Sequence, residues 1–192
     1  MYDIIIVGAG PAGLFSAYEL IKNNKNLKIL LLDKGKFAKN RSCPIAENKK
    51  GCVNCKPCQI LSGYGGAGTF SDGKLNFIPK LGKSDLFKYM SESDAYKLID
   101  DTEEIFNQFG MDAEIFPSNM DEAKKLEKEV AKTGARLLII KNKHIGSDHL
   151  PECIEKLTTY LKENNVETLE LCDVLDIKTN NELDHIIPCK HK

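Results

Sequence analysis

The sequence predicts an α/β protein built on a parallel sheet, and three observations carry that reading. An apolar run, Ile4 to Val7, leads directly into glycines at positions 8, 10 and 13. Leu14, Ala17 and Leu20 then recur at helical spacing. A second apolar run, Leu27 to Leu32, closes on Asp33. Strand, helix and strand within 35 residues form a βαβ unit, and strands this apolar belong inside a parallel sheet.

The turn between the first strand and the helix reads Gly8-Ala9-Gly10-Pro11-Ala12-Gly13. Gly8 lets the chain turn sharply. Gly10 leaves room for a pyrophosphate to approach the backbone, and Gly13 lets helix and strand pack closely. With Pro11 and Ala12 these residues open the helix, whose free N–H groups and partial positive charge face the phosphates. Asp33 follows Gly13 by 20 residues. That is the spacing of an acid that accepts hydrogen bonds from adenosine ribose hydroxyls. A carboxylate there disfavours a 2′-phosphate. Lys34, beside it, is grouped with the cofactor side, although a solvated lysine is the plainer reading. The fingerprint alone does not separate FAD from NAD.

Residues 36–83 show little periodicity and are rich in Cys, Gly, Lys and Asn. A loop this long is usually functional or disordered. Cys43, Cys52, Cys55 and Cys58 have spacing suited to one tetrahedral centre, an iron–sulfur cluster or zinc. Cys55-Lys56-Pro57-Cys58 also reads as a redox pair, and four unligated thiols are the bland alternative. The glycines at 63, 65, 66 and 68 then form an open backbone that can line a cofactor.

Helices are expected from Asp94 to Phe109, stopped by Gly110, and from Asp121 to Lys132, with Ala123, Leu126 and Val130 inward. A buried strand is expected at Arg136 to Lys141. Ser147 is the expected N-cap of a third helix carrying Leu150, Ile154, Leu157 and Leu161. Val166 to Ile177 reads as one long strand or a pair, and the tail as an Asn180-Asn181 turn with weakly apolar Ile186-Ile187. The boundaries are residues 1–83, a helical insertion over 84–145 assigned to a substrate domain, and a return over 146–192.

The chain is 42% hydrophobic and 29% charged, with net charge −1. Such balance gives no basic excess for nucleic acid or anionic lipid. The apolar runs are too short to cross a bilayer, and Asp3 occupies the place of a signal peptide's basic region. The expected setting is cytoplasmic, with a small-molecule substrate. There, seven cysteines favour thiols, a metal or a redox pair over structural disulfides.

The VGAGPAGL wording resembles the glutathione-reductase-like flavoproteins, in which the first βαβ unit binds the ADP half of FAD. Arg41-Ser42-Cys43-Pro44-Ile45, the cysteine run, Gly63 to Leu75 and Lys143 to Asp148 together resemble the poorly characterised FAD-dependent dehydrogenases, the NAD(P)/FAD-dependent oxidoreductases. The resemblance implies a Rossmann-like FAD-binding domain with a helical insertion. It brings Arg41 and Gly65, Gly66, Ala67, Gly68 and Ser71 to the pyrophosphate and flavin side, and Val174 to the adenine. It also implies later segments that this chain lacks, so the chain reads as an N-terminal part.

The expected function is therefore FAD-dependent oxidoreduction of an unknown substrate. The alternatives are a non-catalytic fragment or binding module, and a metal or iron–sulfur electron-transfer component. His144 is the one histidine in a motif-like setting. It reads as a proton donor or acceptor, or more simply as a loop histidine bonded to backbone.

Overall fold

The computed structural model describes residues 1–45, 51–146, 148–179, 185–186 and 189–191. The expected N-cap Ser147, the Asn180-Asn181 turn and Ile187 lie outside the described residues. In chain order the elements are β1 (Ile4–Val7), α1 (Pro11–Asn23), β2 (Ile29–Leu32), β3 (Lys74–Asn76), β4 (Lys80–Leu81), β5 (Ser84–Asp85), α2 (Glu92–Gln108), β6 (Ile115–Phe116), α3 (Met120–Ala131), β7 (Asn142–His144), α4 (Leu150–Glu163), β8 (Val166–Leu169), β9 (Cys172–Val174), β10 (Lys178–Thr179), β11 (His185–Ile186) and β12 (Cys189–His191). Two compact units result, one of residues 1–71 with 150–192 and one of residues 72–149. Their limits fall at 71/72 and 149/150, where the sequence boundaries stood at 83/84 and 145/146.

In the first unit β1, β2 and β8 form a parallel sheet in the order β1-β2-β8. The register pairs Ile4 with Ile29 and Ile29 with Val166. All four residues of β2 are buried because it has a neighbour on each side. β1, read as a central strand, lies at the edge among the described residues, and Val7 is 52% exposed. α1 buries Leu14, Ala17, Tyr18 and Ile21. α4 buries Leu150, Ile154, Leu157 and Leu161, the face its spacing predicts, and the rings of Tyr18 and Tyr160 meet at 5.7 Å. Leu30, Leu32 and Cys172 form a second packed group with Ile5, Leu169 and Val174. The segment 166–177 resolves into two strands, and β9 pairs antiparallel with β12.

The second unit carries a small antiparallel sheet, β3-β7-β6, and a β4–β5 hairpin. α2 starts where the Ser91 hydroxyl accepts the Asp94 N–H, and Gly110 follows its end at φ +100°. α3 starts at Asn119, whose side chain accepts from Asp121 and Glu122 N–H. Both helices lie within two residues of expectation. Their inward faces match it in part. Ile105, Phe106 and Phe109 are buried and Ala123 and Val130 half-buried, whereas Tyr96 and Leu98 are about half exposed and Leu126 is 53% exposed. The Asn119 cap and the acids Asp121 and Glu122 in its first turn add stability to α3.

The strand expected at Arg136 to Lys141 is absent, and Leu138 is 51% exposed. A strand forms instead at Asn142–His144, just past the expected segment. There Lys143 is buried, because its ammonium meets Glu103 at 2.9 Å and the Asn107 side-chain oxygen at 2.7 Å. A satisfied ion pair permits a charged residue where an apolar one was expected.

Candidate functional site

The fingerprint turn is built by backbone contact. Gly8 N–H donates to Leu32 O at 2.7 Å and ties the turn to β2. A Cβ at Gly13 would overlap Gly8 O, so only glycine lets α1 start this close to β1. Gly10 is the N-cap of α1, Pro11 is its first residue, and no side chain caps the helix. Its first turn also carries no acid. These features leave a positive helix end available to an anion.

The acid at the end of β2 is held rather than free. Asp33 Oδ2 accepts the Ala9 N–H at 2.9 Å, and Oδ1 accepts the Gly35 N–H at 2.7 Å. One face of the carboxylate is thus fixed by backbone donors. Each oxygen keeps acceptor capacity for a hydroxyl in front of it.

Asp33 stands where two cavities meet. One, of about 730 Å³, is lined by Gly10, Asp33, Lys34, Gly63, Gly66 and Asp173, together with residues 55–58, Leu61 and Ser62. The other, of about 240 Å³, lies over the carboxyl ends of β1 and β2, against Val7, Gly8, Leu32, Cys172, Asp173 and Val174. Both include Asp33, Lys34 and Asp173. Lys34 is exposed.

The glycine-rich segment crosses the fingerprint. Gly65 N–H donates to Ala9 O at 2.8 Å, and a Cβ on Gly66 would come within 3.3 Å of Pro11 Cδ and 3.4 Å of Gly10 Cα. Gly65 has φ +84°, and a side chain there would also overlap Thr69. Ala67 and Gly68 are exposed, whereas the Ser71 hydroxyl donates to Gly68 O at 2.7 Å.

Arg41 departs from the role the resemblance implies. It is 5% exposed, and its guanidinium is spent on the protein. Nε donates to Gln59 O at 2.8 Å and Nη2 to Ile60 O at 2.6 Å. Nη1 donates to Tyr64 O and Gly66 O, both at 2.9 Å, and reaches Thr69 Oγ1 at 3.3 Å. The Phe70 ring lies 4.7 Å from the guanidinium carbon. Arg41 therefore shapes the glycine loop from behind. A peptide's C=O and N–H point opposite ways. Turning Gly66 O onto Arg41 thus turns the Ala67 N–H outward.

Tyr64 was not singled out in the sequence, yet it anchors the loop. It is fully buried, its hydroxyl donates to Leu31 O at 2.9 Å and Leu169 O at 3.2 Å, and its ring meets Phe37 at 4.5 Å. Burial pushes its hydroxyl well above the ordinary tyrosine value. An aromatic between glycines is the one signal that pointed to it.

The cysteines do not assemble into a centre. Among the described residues, no three His, Cys, Asp or Glu side chains are placed to hold a metal, although Cys43, Cys52, Cys55 and Cys58 are all described. Cys52 is exposed and donates to Asn54 Oδ1, while Cys55 and Cys58 line the larger cavity. All four are free thiols.

His144 is exposed on β7, in the second unit. Its Nε2 lies 2.8 Å from Asp72 O, so Nε2 carries the proton and donates to backbone.

A family model for an NAD(P)-binding Rossmann-like domain matches residues 6–38, the fingerprint and Asp33. An uncharacterized protein of Methanosarcina barkeri is 45% identical over 42 residues, 22% of this chain and 10% of that protein. Two solved structures share the fold. Glycine oxidase from Geobacillus kaustophilus aligns at TM-score 0.50 and 16% identity, over 98% of this chain and 51% of its own. E. coli quinol fumarate reductase FrdA aligns at TM-score 0.51 and 14% identity, over 94% and 27%. The chain thus spans about half or less of these proteins. The chain shares its fold with these two structures, and its first βαβ unit matches an NAD(P)-binding Rossmann-like domain. No described helix is long and apolar enough to cross a membrane.

Proposed function

We propose that this chain is the FAD-binding part of a flavin-dependent oxidoreductase. The observation that carries the proposal is Asp33, fixed by Ala9 and Gly35 N–H at the junction of the two cavities. A carboxylate held in this way suits ribose hydroxyls. The smaller cavity, with Val174 on its wall, then takes the adenine. The Gly10 and Gly66 approach takes the pyrophosphate, with Ala12, Gly13 and Ala67 as backbone donors. Lys34, exposed at both cavities, adds positive charge at the mouth.

The residues present fit the group. A Cβ added at Gly10 would point at Gly66 Cα, 4.0 Å away, into the space a pyrophosphate needs. FAD is preferred to NAD because the cleft belongs to the first βαβ unit of a flavoprotein-type fold and is crossed by the glycine loop. When bound, FAD supplies the hydride or electron chemistry. The residues described here bind and orient its ADP half. A small molecule is the substrate class this chemistry implies, and the setting we propose is cytoplasmic.

Purified chain titrated with FAD, followed by flavin fluorescence, tests the proposal. Gly10→Val is expected to weaken binding by about 100-fold, since its side chain occupies the phosphate space. Equal affinity in wild type and Gly10→Val would remove the assignment.

A further inference from the structure

The Cys55-Lys56-Pro57-Cys58 motif has no part in the function above, yet both its cysteines line the larger cavity, together with Gly10, Asp33 and Gly66. Arg41 takes the carbonyls of Gln59 and Ile60. The N–H groups of those same two peptides belong to Ile60 and Leu61, and planarity turns them the opposite way. Both act as backbone donors that favour the Cys58 thiolate. A buried cation therefore holds one side of two peptides, and the other side forms a two-donor seat for a sulfur. Ser62 N–H donates to Cys58 O at 2.9 Å and closes the turn.

We propose that Cys58 and Cys55 form a thiol–disulfide switch on the wall of the nucleotide cleft, oxidised by a low-molecular-weight disulfide. Its coupling to the nucleotide rests on the function proposed above. The Leu61 and Ile60 N–H groups hold the Cys58 thiol below its ordinary value, against partial burial, and the Arg41 charge adds to them. The thiolate is the attacking species. Cys58 Sγ attacks one sulfur of the small disulfide, a Cys58–sulfur bond forms, the small disulfide's own bond breaks, and one small thiolate leaves. Cys55, after losing its proton to solvent, attacks Cys58 Sγ, and the second small thiolate leaves. The pair gives up two electrons and the small disulfide takes two. Cys55 joined to Cys58 redraws the wall that Gly10 and Asp33 share. Bound dinucleotide, filling the cleft, shields both sulfurs.

The test treats the reduced, full-length chain with oxidised glutathione, with and without saturating FAD, and maps thiols by mass spectrometry. Wild type is expected to end with a Cys55–Cys58 disulfide. Cys55→Ser is expected to stop at glutathione bound to Cys58. Iodoacetamide at neutral pH is expected to label Cys58 about tenfold faster than exposed Cys52, and Arg41→Lys to narrow that ratio. Equal labelling of Cys52 and Cys58, or a Cys55→Ser chain with no glutathione on Cys58, overturns the switch. FAD is expected to slow both reactions at Cys58. Undiminished reactivity under FAD, with the disulfide still forming, leaves the switch standing and counts instead against the cleft as the FAD site.

Discussion

The two units of this chain are held by different physics. The first is a parallel sheet with a fully buried middle strand, β2, and a carbonyl-rich loop tied down by Arg41 and Tyr64. The second is a small antiparallel sheet around a lysine–glutamate network, with a helix, α3, that buries nothing. In the network Glu103 meets Lys143 at 2.9 Å and Lys141 at 3.2 Å. The contrast teaches that the cleft is set by polar groups that cannot be removed singly, while much of the second unit tolerates change at its surface.

The largest expected effect separates the units at Arg41. Arg41→Ala leaves four carbonyls and the Thr69 hydroxyl without their donor. Removing one partner from buried polar groups costs their desolvation. Unfolding in urea should show about 3 kcal/mol less stability. A loss under about 1 kcal/mol would mean that water replaces the guanidinium and the loop needs no internal cation.

A smaller effect belongs to the second unit and appears with acid. Burial raises the Glu103 carboxyl, but the Lys143 and Lys141 hydrogen bonds and charges outweigh it and hold the group below its ordinary value. Lys74 does the same for exposed Asp72, and Lys80 for Asp85. A carboxyl depressed in the folded state stabilises fully above its unfolded value, about 4.3 for Glu, and that stability is lost as pH falls through the lower folded value. Protection of the β7 amides, their exchange relative to the intrinsic rate at each pH, should therefore fall below about pH 4, ahead of β2. Glu103→Gln should lower stability at pH 7 and flatten this acid step. An unchanged acid step in Glu103→Gln would assign the acid sensitivity elsewhere.

The same division governs what the sequence made legible. β1, α1, β2 and Asp33 were readable because their signals are local: apolar runs, helical spacing and glycines at fixed offsets. The face of α4 was readable for the same reason. The buried strand placed at Arg136 to Lys141 failed because β7 owes its position to Lys143 pairing with Glu103, 40 positions away in sequence. Arg41 was expected at the cofactor, but its guanidinium is held by five acceptors on residues 59–69, which surround it only after folding. Cysteine spacing suggested a metal centre, but spacing does not show where a turn aims each sulfur.

The smallest effect is expected at α3. Leu126 is 53% exposed, although periodicity placed it inward. Leu126→Ala should change stability by no more than about 0.5 kcal/mol. A thermal unfolding scan showing a loss above about 2 kcal/mol would mean that this face is covered in the protein in solution.

The claim that the Asp33 cleft holds the ADP half of a dinucleotide is tested most directly by isothermal titration of ADP into the chain and into Asp33→Ala. ADP has the ribose and phosphates but no flavin, so it isolates the cleft. Saturable one-to-one binding in wild type, weakened about tenfold or more in Asp33→Ala with the fold intact by circular dichroism, is the predicted result. Binding that Asp33→Ala leaves unchanged would contradict it.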